Sequence, residues 1–397
     1  MLLLMALVGL NLRPALSSLA PLLARAQLEL GLSAAAAGVL TTLPVLCLGL
    51  FAPVAPWLSR RIGIERTISL ALLLLVIALL LRAGQGVWPL FAGTAMVGAA
   101  IGIAGTVLPV LVKRELPRGA DLMTGFYTMA LCLGGALGAS LSIPLAEWLG
   151  SWQLSLGSWS LPAVVTLLCW WVMMPRSRPQ PHSDDHRRGI SGAGLLRSPL
   201  AWQVTLLMGC QSSLAYIVFG WLPALLQRRD ISEAEAGVLL GASVFVQLFS
   251  AVGAPWLARL GRDERPALLL LLGLVGTGFY CLLLGPPSLR WPGVVALGLG
   301  QGGSFSLTLA LLVLRSSTPV IAGQLSAMTQ GIGYCLAALG PLLVGLLLQF
   351  EVSTTGIWVW LSGLVVAGML LALLAGRNYR LHISEQGRFV TRSQQRT

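Results

Sequence analysis

LSAAAAGVL, Leu32 to Leu40, returns 199 residues later as ISEAEAGVL, Ile231 to Leu239. At the same offset APWLSR (Ala55–Arg60) becomes APWLAR (Ala254–Arg259), and Glu65-Arg66 becomes Glu264-Arg265. Agreement over these blocks without a gap marks the chain as a tandem repeat. Because the repeat keeps its direction, the two copies are expected to run in parallel topology.

The repeated unit is apolar. Of the 397 residues 56% are hydrophobic and only 10% charged, with a mean hydropathy of +0.83; a soluble domain carries about 25% charged residues. Runs long enough to cross a bilayer, about 20 residues each, recur from end to end. Lipid offers no partner to backbone N–H and C=O groups, so such runs predict helices. Twelve are expected, at 1–23, 34–58, 67–83, 87–112, 122–145 and 154–174, then at 200–226, 234–257, 266–284, 292–314, 320–348 and 356–374. The apolar start has no basic leader and is interrupted by Arg13, so it reads as a first span and not as a cleaved signal.

Between the sixth and seventh spans lies PRSRPQPHSDDHRRGISGAG, rich in Pro, Ser, Gly and charge, which reads as a linker. The expected organisation is a six-helix half at 1–174, a linker at 175–199, a second six-helix half at 200–376, and a polar, mobile tail at 377–397. Of the 26 Lys and Arg, 20 fall in loops on the side of the linker and tail and 5 on the opposite side. That asymmetry predicts that both termini and the linker are cytoplasmic.

The net charge of +12 is therefore an orientation signal, with no nucleic-acid-binding motif beside it. The six cysteines all lie in apolar segments without a metal spacing and read as small buried hydrophobes. No cofactor is implied. Catalysis would need paired carboxylates, a metal cluster or a nucleophile with its base at membrane depth; the Asp and Glu sit in loops or at span ends and the three His in the linker and tail, so no enzyme is expected.

Against this background NLRPAL, Asn11 to Leu16, is an anomaly. Arg13 lies about 18 Å along the first helix, near the centre of a ~30 Å hydrocarbon layer. By the same count it is the only formal charge expected at membrane depth. Insertion of such an arginine costs roughly 2.5–3.5 kcal/mol. Two structural readings stand beside a functional one: bonding to the Leu10 carbonyl that Pro14 leaves free, or snorkelling to the interface. The functional reading is an arginine facing a cavity, where its planar donor fork binds an anionic or strongly dipolar ligand. The absence of a carboxylate in the spans favours it, as does the repeat, which places Ser212 where Arg13 stands in the first half. Asn11, Ser17, Gln211, Ser212, Tyr216, Gln301, Ser304, Gln330 and Tyr334 are the polar residues expected to complete a substrate pocket with Arg13. Each alone could serve only to tie helices together.

A tandem of six-span halves with a site between them near the midplane is the major facilitator architecture. NLRPALSSLAPLL, GVLTTLPVL, SPLAWQVTLLMG, FGWLPALL and AGQLSAMTQGIGYCLAALGP resemble the cyanate porter family of that superfamily, over nearly the whole chain. The resemblance implies a secondary transporter for a small, planar, delocalised solute, anionic or weakly acidic, in the bacterial inner membrane, working by alternating access as a monomer. A broader organic-solute or drug exporter is the alternative, and a non-transporting sensor or scaffold a remote one. The resemblance also implies gating loops at Arg60, Arg61, Gly63 and Arg66 and at Arg259, Arg262 and Arg265. Arg60 occupies the position of that motif's usual aspartate. A coupling proton has no Asp, Glu or His in the spans to carry it. This leaves a proton carried by a weakly acidic substrate, or facilitated diffusion without coupling.

Overall fold

The computed structural model describes residues 2–115, 120–173, 192–384 and 389–393. Among them, eleven helical stretches are long and apolar enough to cross a membrane, and a pair bent by 50°, Gly38–Phe51 with Val54–Ile62, makes a twelfth. Each expected span has its helix. Most of the expected linker, 174–191, and parts of the expected tail lie outside the described residues.

The first span is broken in two, α1 (Leu2–Leu12) and the short α2 (Pro14–Ser17), and leads through a 3-10 turn into α3 (Leu23–Leu30). The second is α4 (Ala34–Phe51) with α5 (Val54–Ile62), bent at Ala52-Pro53. Then follow α6 (Ile64–Arg82), α7 (Val87–Glu115), α8 (Ala120–Leu149), and α9 (Trp152–Ser158) continued by α10 (Ser160–Met173). The second half runs α11 (Pro199–Gln227), α12 (Glu233–Leu260), α13 (Arg265–Leu283), α14 (Arg290–Leu314), α15 (Pro319–Gln349) and α16 (Thr354–Ala375).

The repeat is visible in detail. Ser33 caps α4 by accepting from the Ala36 N–H, and its counterpart Ser232 caps α12 by accepting from Glu235, each satisfying a donor that the first turn leaves open. Gly98 and Gly102 of α7 let it approach the α4 backbone at Pro44 and Leu48; Gly298 and Gly302 of α14 do the same against Ser243 and Gln247 of α12. A methyl at Gly98 would stand 2.7 Å from Cys47 Cβ, and one at Gly298 2.7 Å from Val246 Cβ. Small residues are what permit such contact in lipid. Between the halves, α8 runs along α12, and α15 along α4 and α7.

The face carrying the basic loops is tied by charge. Arg114, at the end of α7, pairs with Glu65 at 2.6 Å. In the second half Arg315, just past α14, pairs with Glu264, both side chains almost fully buried, and its Nε donates to the Ala375 carbonyl. Glu65 and Glu264 are repeat partners, so each half closes its basic end with the same acid–base pair.

The tail departs from expectation. Instead of a mobile segment, Tyr379–Ile383 (β1) pairs antiparallel with Phe389–Ser393 (β2). This hairpin docks on the end of α14: Leu381 N–H donates to the Arg315 carbonyl, Ser317 N–H donates to the Leu381 carbonyl, and Leu381 is fully buried. Arg380 donates to the Leu314 carbonyl. Burial and the neighbouring Arg315 push its guanidinium below its ordinary value, against the pull of Glu264. The carbonyls at the end of α14 have no helical donors of their own, and the hairpin supplies them.

Removing one member of a buried ion pair leaves the other unpaired, at a cost of about 3–5 kcal/mol. Glu264→Ala is therefore expected to lower the thermal unfolding midpoint sharply in detergent. The double variant Glu264→Leu, Arg315→Met is expected to recover much of that loss.

Candidate functional site

Span 1 breaks where its sequence requires it. Pro14 has no N–H to give to the Leu10 carbonyl, and Ser17 N–H and Leu16 N–H both turn to the Arg13 carbonyl, at 3.0 Å each. The break is held from two sides. On α8, a side chain at Gly134 would overlap the Leu10 carbonyl, one at Gly138 would stand 2.7 Å from Pro14 Cα, and one at Gly135 would touch Arg13 Cβ at 3.6 Å. The stretch from Gly134 to Gly138 thus seats the backbone on both sides of Arg13.

From the other side comes Arg82, the last residue of α6, whose Nη1 donates to the Ala15 carbonyl at 2.5 Å. Arg82 is 1% exposed. This corrects the expectation that Arg13 is the only charge at membrane depth: Arg82, counted in sequence with the outer loops, reaches inward to a carbonyl two residues, about 3 Å of helix rise, from Arg13. Among the described residues its Nε and Nη2 have no hydrogen-bond partner, nor have the buried hydroxyls of Ser18 and Thr94.

Arg13 itself faces a cavity of about 30 Å³ between the halves, lined also by Leu12, Gly105, Tyr127, Phe305, Gln330 and Tyr334. Its guanidinium carbon lies 4.7 Å from the Phe305 ring centroid and 5.6 Å from that of Phe219. Among the described residues no carboxylate pairs with it. Neither structural reading of Arg13 describes this arrangement: the Leu10 carbonyl lies against Gly134, and the arginine points between the two halves. Tyr216 and Tyr334 meet edge to face at 6.3 Å on the cavity wall.

Of the ten residues expected in a pocket, the fold brings Arg13, Tyr216, Gln330 and Tyr334 to this cavity. The side chains of the others make different contacts. Asn11 ties α1 to α10 through the Thr166 hydroxyl at 2.6 Å. Ser17 donates to the Arg13 carbonyl. Gln301 Nε2 donates to the Leu214 carbonyl and its Oε1 accepts from Gln247, and Ser304 donates to the Gln301 carbonyl. Ser212 donates to Gln211 Oε1, while Gln211 Nε2 is buried without a partner among the described residues. Tyr127, Phe219 and Phe305 were not singled out in sequence. An aromatic ring in an apolar helix carries no signal separating the cavity wall from the lipid face.

The loop residues sit on the basic face. Gly63 joins α5 to α6 at a φ of +91°, a conformation that glycine adopts without strain. Arg60, Arg61, Arg66, Arg259, Arg262 and Arg265 are exposed; Arg61 stacks on Trp57 at 4.4 Å and Arg265 pairs with Asp263 at 2.7 Å. Arg60 stands at the usual aspartate position, and the carboxylate that engages α7 comes instead from Glu65.

Among the described residues, hydrogen bonds join the halves on the basic side of the cavity. Gln330 Nε2 donates to the Gly105 carbonyl at 3.0 Å, Ser326 to the Thr106 carbonyl at 3.1 Å, and Lys113 to the Val313 carbonyl at 3.3 Å.

Comparison with known proteins accords with this geometry. Residues 2–341 match the model of the Major Facilitator Superfamily. The chain is 35% identical to an uncharacterized transporter of Bacillus subtilis (strain 168), over 96% of this chain and 94% of that one. It is 34% identical to the 2-nitroimidazole transporter of Escherichia coli (strain K12), over 94% of each chain. It is 33% identical to the cyanate transport protein CynX of the same organism, over 94% of this chain and 96% of that one. Among solved structures, a proton:xylose symporter superposes with a TM-score of 0.76 at 16% identity, covering 94% of each chain. The human organic anion transporter MFSD10 gives 0.74 at 15%, over 94% of this chain and 98% of that one. The chain belongs to the major facilitator superfamily, and its near-full-length relatives include the cyanate and 2-nitroimidazole transporters.

Because Gly134 meets the broken span through backbone, Gly134→Val is expected to displace it. Overpacking of this kind costs typically 1–3 kcal/mol. A lower melting midpoint should be accompanied by weaker binding of small anions in a thermal-shift titration.

Proposed function

We propose that this major facilitator protein moves a small, planar, delocalised solute, anionic or weakly acidic, by alternating access, with Arg13 as the group that binds it. The observation that carries the reading is the Arg13 guanidinium, set on a cavity between the halves without a carboxylate partner among the described residues. Its carbon lies over the Phe305 and Phe219 rings, contacts that use none of the N–H donors a planar acceptor would take. A cavity of about 30 Å³ holds about two waters at the ~10–15 Å³ that each needs, which suits a ligand of a few atoms. Cyanate and 2-nitroimidazole, the solutes named for two relatives, are both planar and delocalised; cyanate suits this volume, and the larger 2-nitroimidazole enters only as the halves part. They are the first candidates.

The two halves, 1–174 and 200–376, are the units that move against each other, with 175–199 as linker and 377–397 as tail. The protein acts in the bacterial inner membrane as a monomer, a carrier and not an enzyme, with both termini in the cytoplasm, as the skew of Lys and Arg supports. A proton crosses, if at all, on the substrate itself, since the spans carry Asp and Glu only at their ends and no His. Export of bulky cations, the rival within this fold, is disfavoured by repulsion from a fixed guanidinium and by the small cavity.

In proteoliposomes, Arg13→Ala and Arg13→Gln are expected to fold and to abolish uptake of radiolabelled cyanate or 2-nitroimidazole. Arg13→Lys should be severely impaired because an ammonium lacks the planar fork. Wild-type uptake by Arg13→Ala would end this reading. For orientation, a cysteine at Ser393, exposed on β2, should resist a membrane-impermeant maleimide in intact cells and react once they are opened.

A further inference from the structure

Pro109 lies inside α7 and has no N–H, so the Gly105 carbonyl four residues earlier has no helical donor. The donor comes from the other half: Gln330 Nε2 on α15, at 3.0 Å. The same nitrogen donates to Ser326 Oγ at 2.7 Å, and the Ser326 hydroxyl donates to the Thr106 carbonyl at 3.1 Å. A carbonyl only accepts, which fixes the orientation of the amide. A primary amide has two N–H donors, and both are engaged. Gln330 also lines the cavity that holds Arg13.

We infer that Gln330 couples occupancy of the cavity to the opening of the basic side. An acceptor held by Arg13 that takes an N–H from Gln330 must take it from Gly105 or from Ser326; the first exchange breaks a bond between α7 and α15, and the second breaks one within α15, beside the Ser326–Thr106 bond. Elsewhere α15 packs closely on the first half: a methyl at Gly323 would stand 3.2 Å from Val110 Cγ2, and one at Gly331 3.2 Å from Pro53 Cγ. Lys113 and Val313, which also bond across the halves, do not line the cavity. The second half supplies a contrast. Pro255 of α12 leaves the Ala251 carbonyl without a helical donor, and Ser306 of α14, in the same half, donates to it at 2.7 Å. That carbonyl is satisfied whichever way the halves rock. Gly105 is satisfied only while α15 stays against α7.

This inference rests on the carrier reading, and its test separates the two. Nitroxide labels at Arg60→Cys and Leu260→Cys, both exposed at the basic ends of their halves, report their separation by double electron–electron resonance. In the wild-type protein, saturating cyanate or 2-nitroimidazole is expected to enlarge the longer-distance population. Gln330→Leu removes the donor. Pro109→Ala gives Gly105 a donor within α7 and leaves the cavity side chains unchanged. Each should raise the longer-distance population about three- to tenfold without any probe, the factor for one hydrogen bond of ordinary net strength, and added probe should change it little further. A folded pair of variants with the wild-type distribution overturns the inference. So does a probe that binds the wild type, by calorimetry, without lengthening the distance. If the wild type binds neither probe, the substrate assignment is what fails, and the probe-free comparison of Pro109→Ala with wild type still decides whether this bond holds the seam.

Discussion

A carbonyl that loses its helical donor inside a membrane must find another, because no water is there to supply one. Much of this structure follows from that constraint. Prolines break or bend the helices at fixed places, and at several of them a partner for the freed carbonyl, or for one close by, is drawn from a neighbouring helix. At Pro255 it is Ser306, within the half. At Pro109 it is Gln330, across the halves. Near Pro14 the arrangement is double: Gly134 of α8 closes on the Leu10 carbonyl, and Arg82 of α6 donates to that of Ala15. The break in span 1 that presents Arg13 is therefore built by α8, α6 and α1 with α2 together, and Arg13 is placed by backbone contacts more than by its own side chain.

The spans were legible because hydropathy over twenty residues depends on composition and little on detail. Their pairing into two halves was legible because the repeat kept its spacing, down to the capping serines Ser33 and Ser232. What the linear pattern could not express was direction perpendicular to the helix. Arg82 stands at the end of a span, and a count by loops assigns it to the surface; its long aliphatic stem carries the guanidinium back along the helix into the interior. The tail reads as polar by composition, yet Leu381 is buried because the unpaired carbonyls after α14 offered a strand its partners.

The same limit shaped the reading of the site. Polarity within a span says that a side chain needs a partner, but not whether that partner is a ligand or a helix. Gln301, Asn11 and Ser304 have theirs within the protein. Tyr216, Tyr334 and Gln330 reach the cavity, and the difference lies in rotations about each helix that no spacing in the sequence fixes. Gln330 belongs to both groups, which is why it is informative: it is a helix tie whose partner lies in the other half.

The pairing of Arg13 with aromatic rings bears on selectivity as well as on stability. A carboxylate neighbour would neutralise the arginine, and a ligand would have to displace it against a strong, charge-assisted bond. A ring face stabilises the cation by about 0.5–2 kcal/mol while leaving its hydrogen-bond donors unspent. Arg82 adds a second positive charge close to span 1 with no ion pair of its own among the described residues. A fixed cation in a medium that screens it weakly repels a cation and draws an anion before contact. On the proposed reading, charge would select the class of solute and the small cavity would select among that class by size.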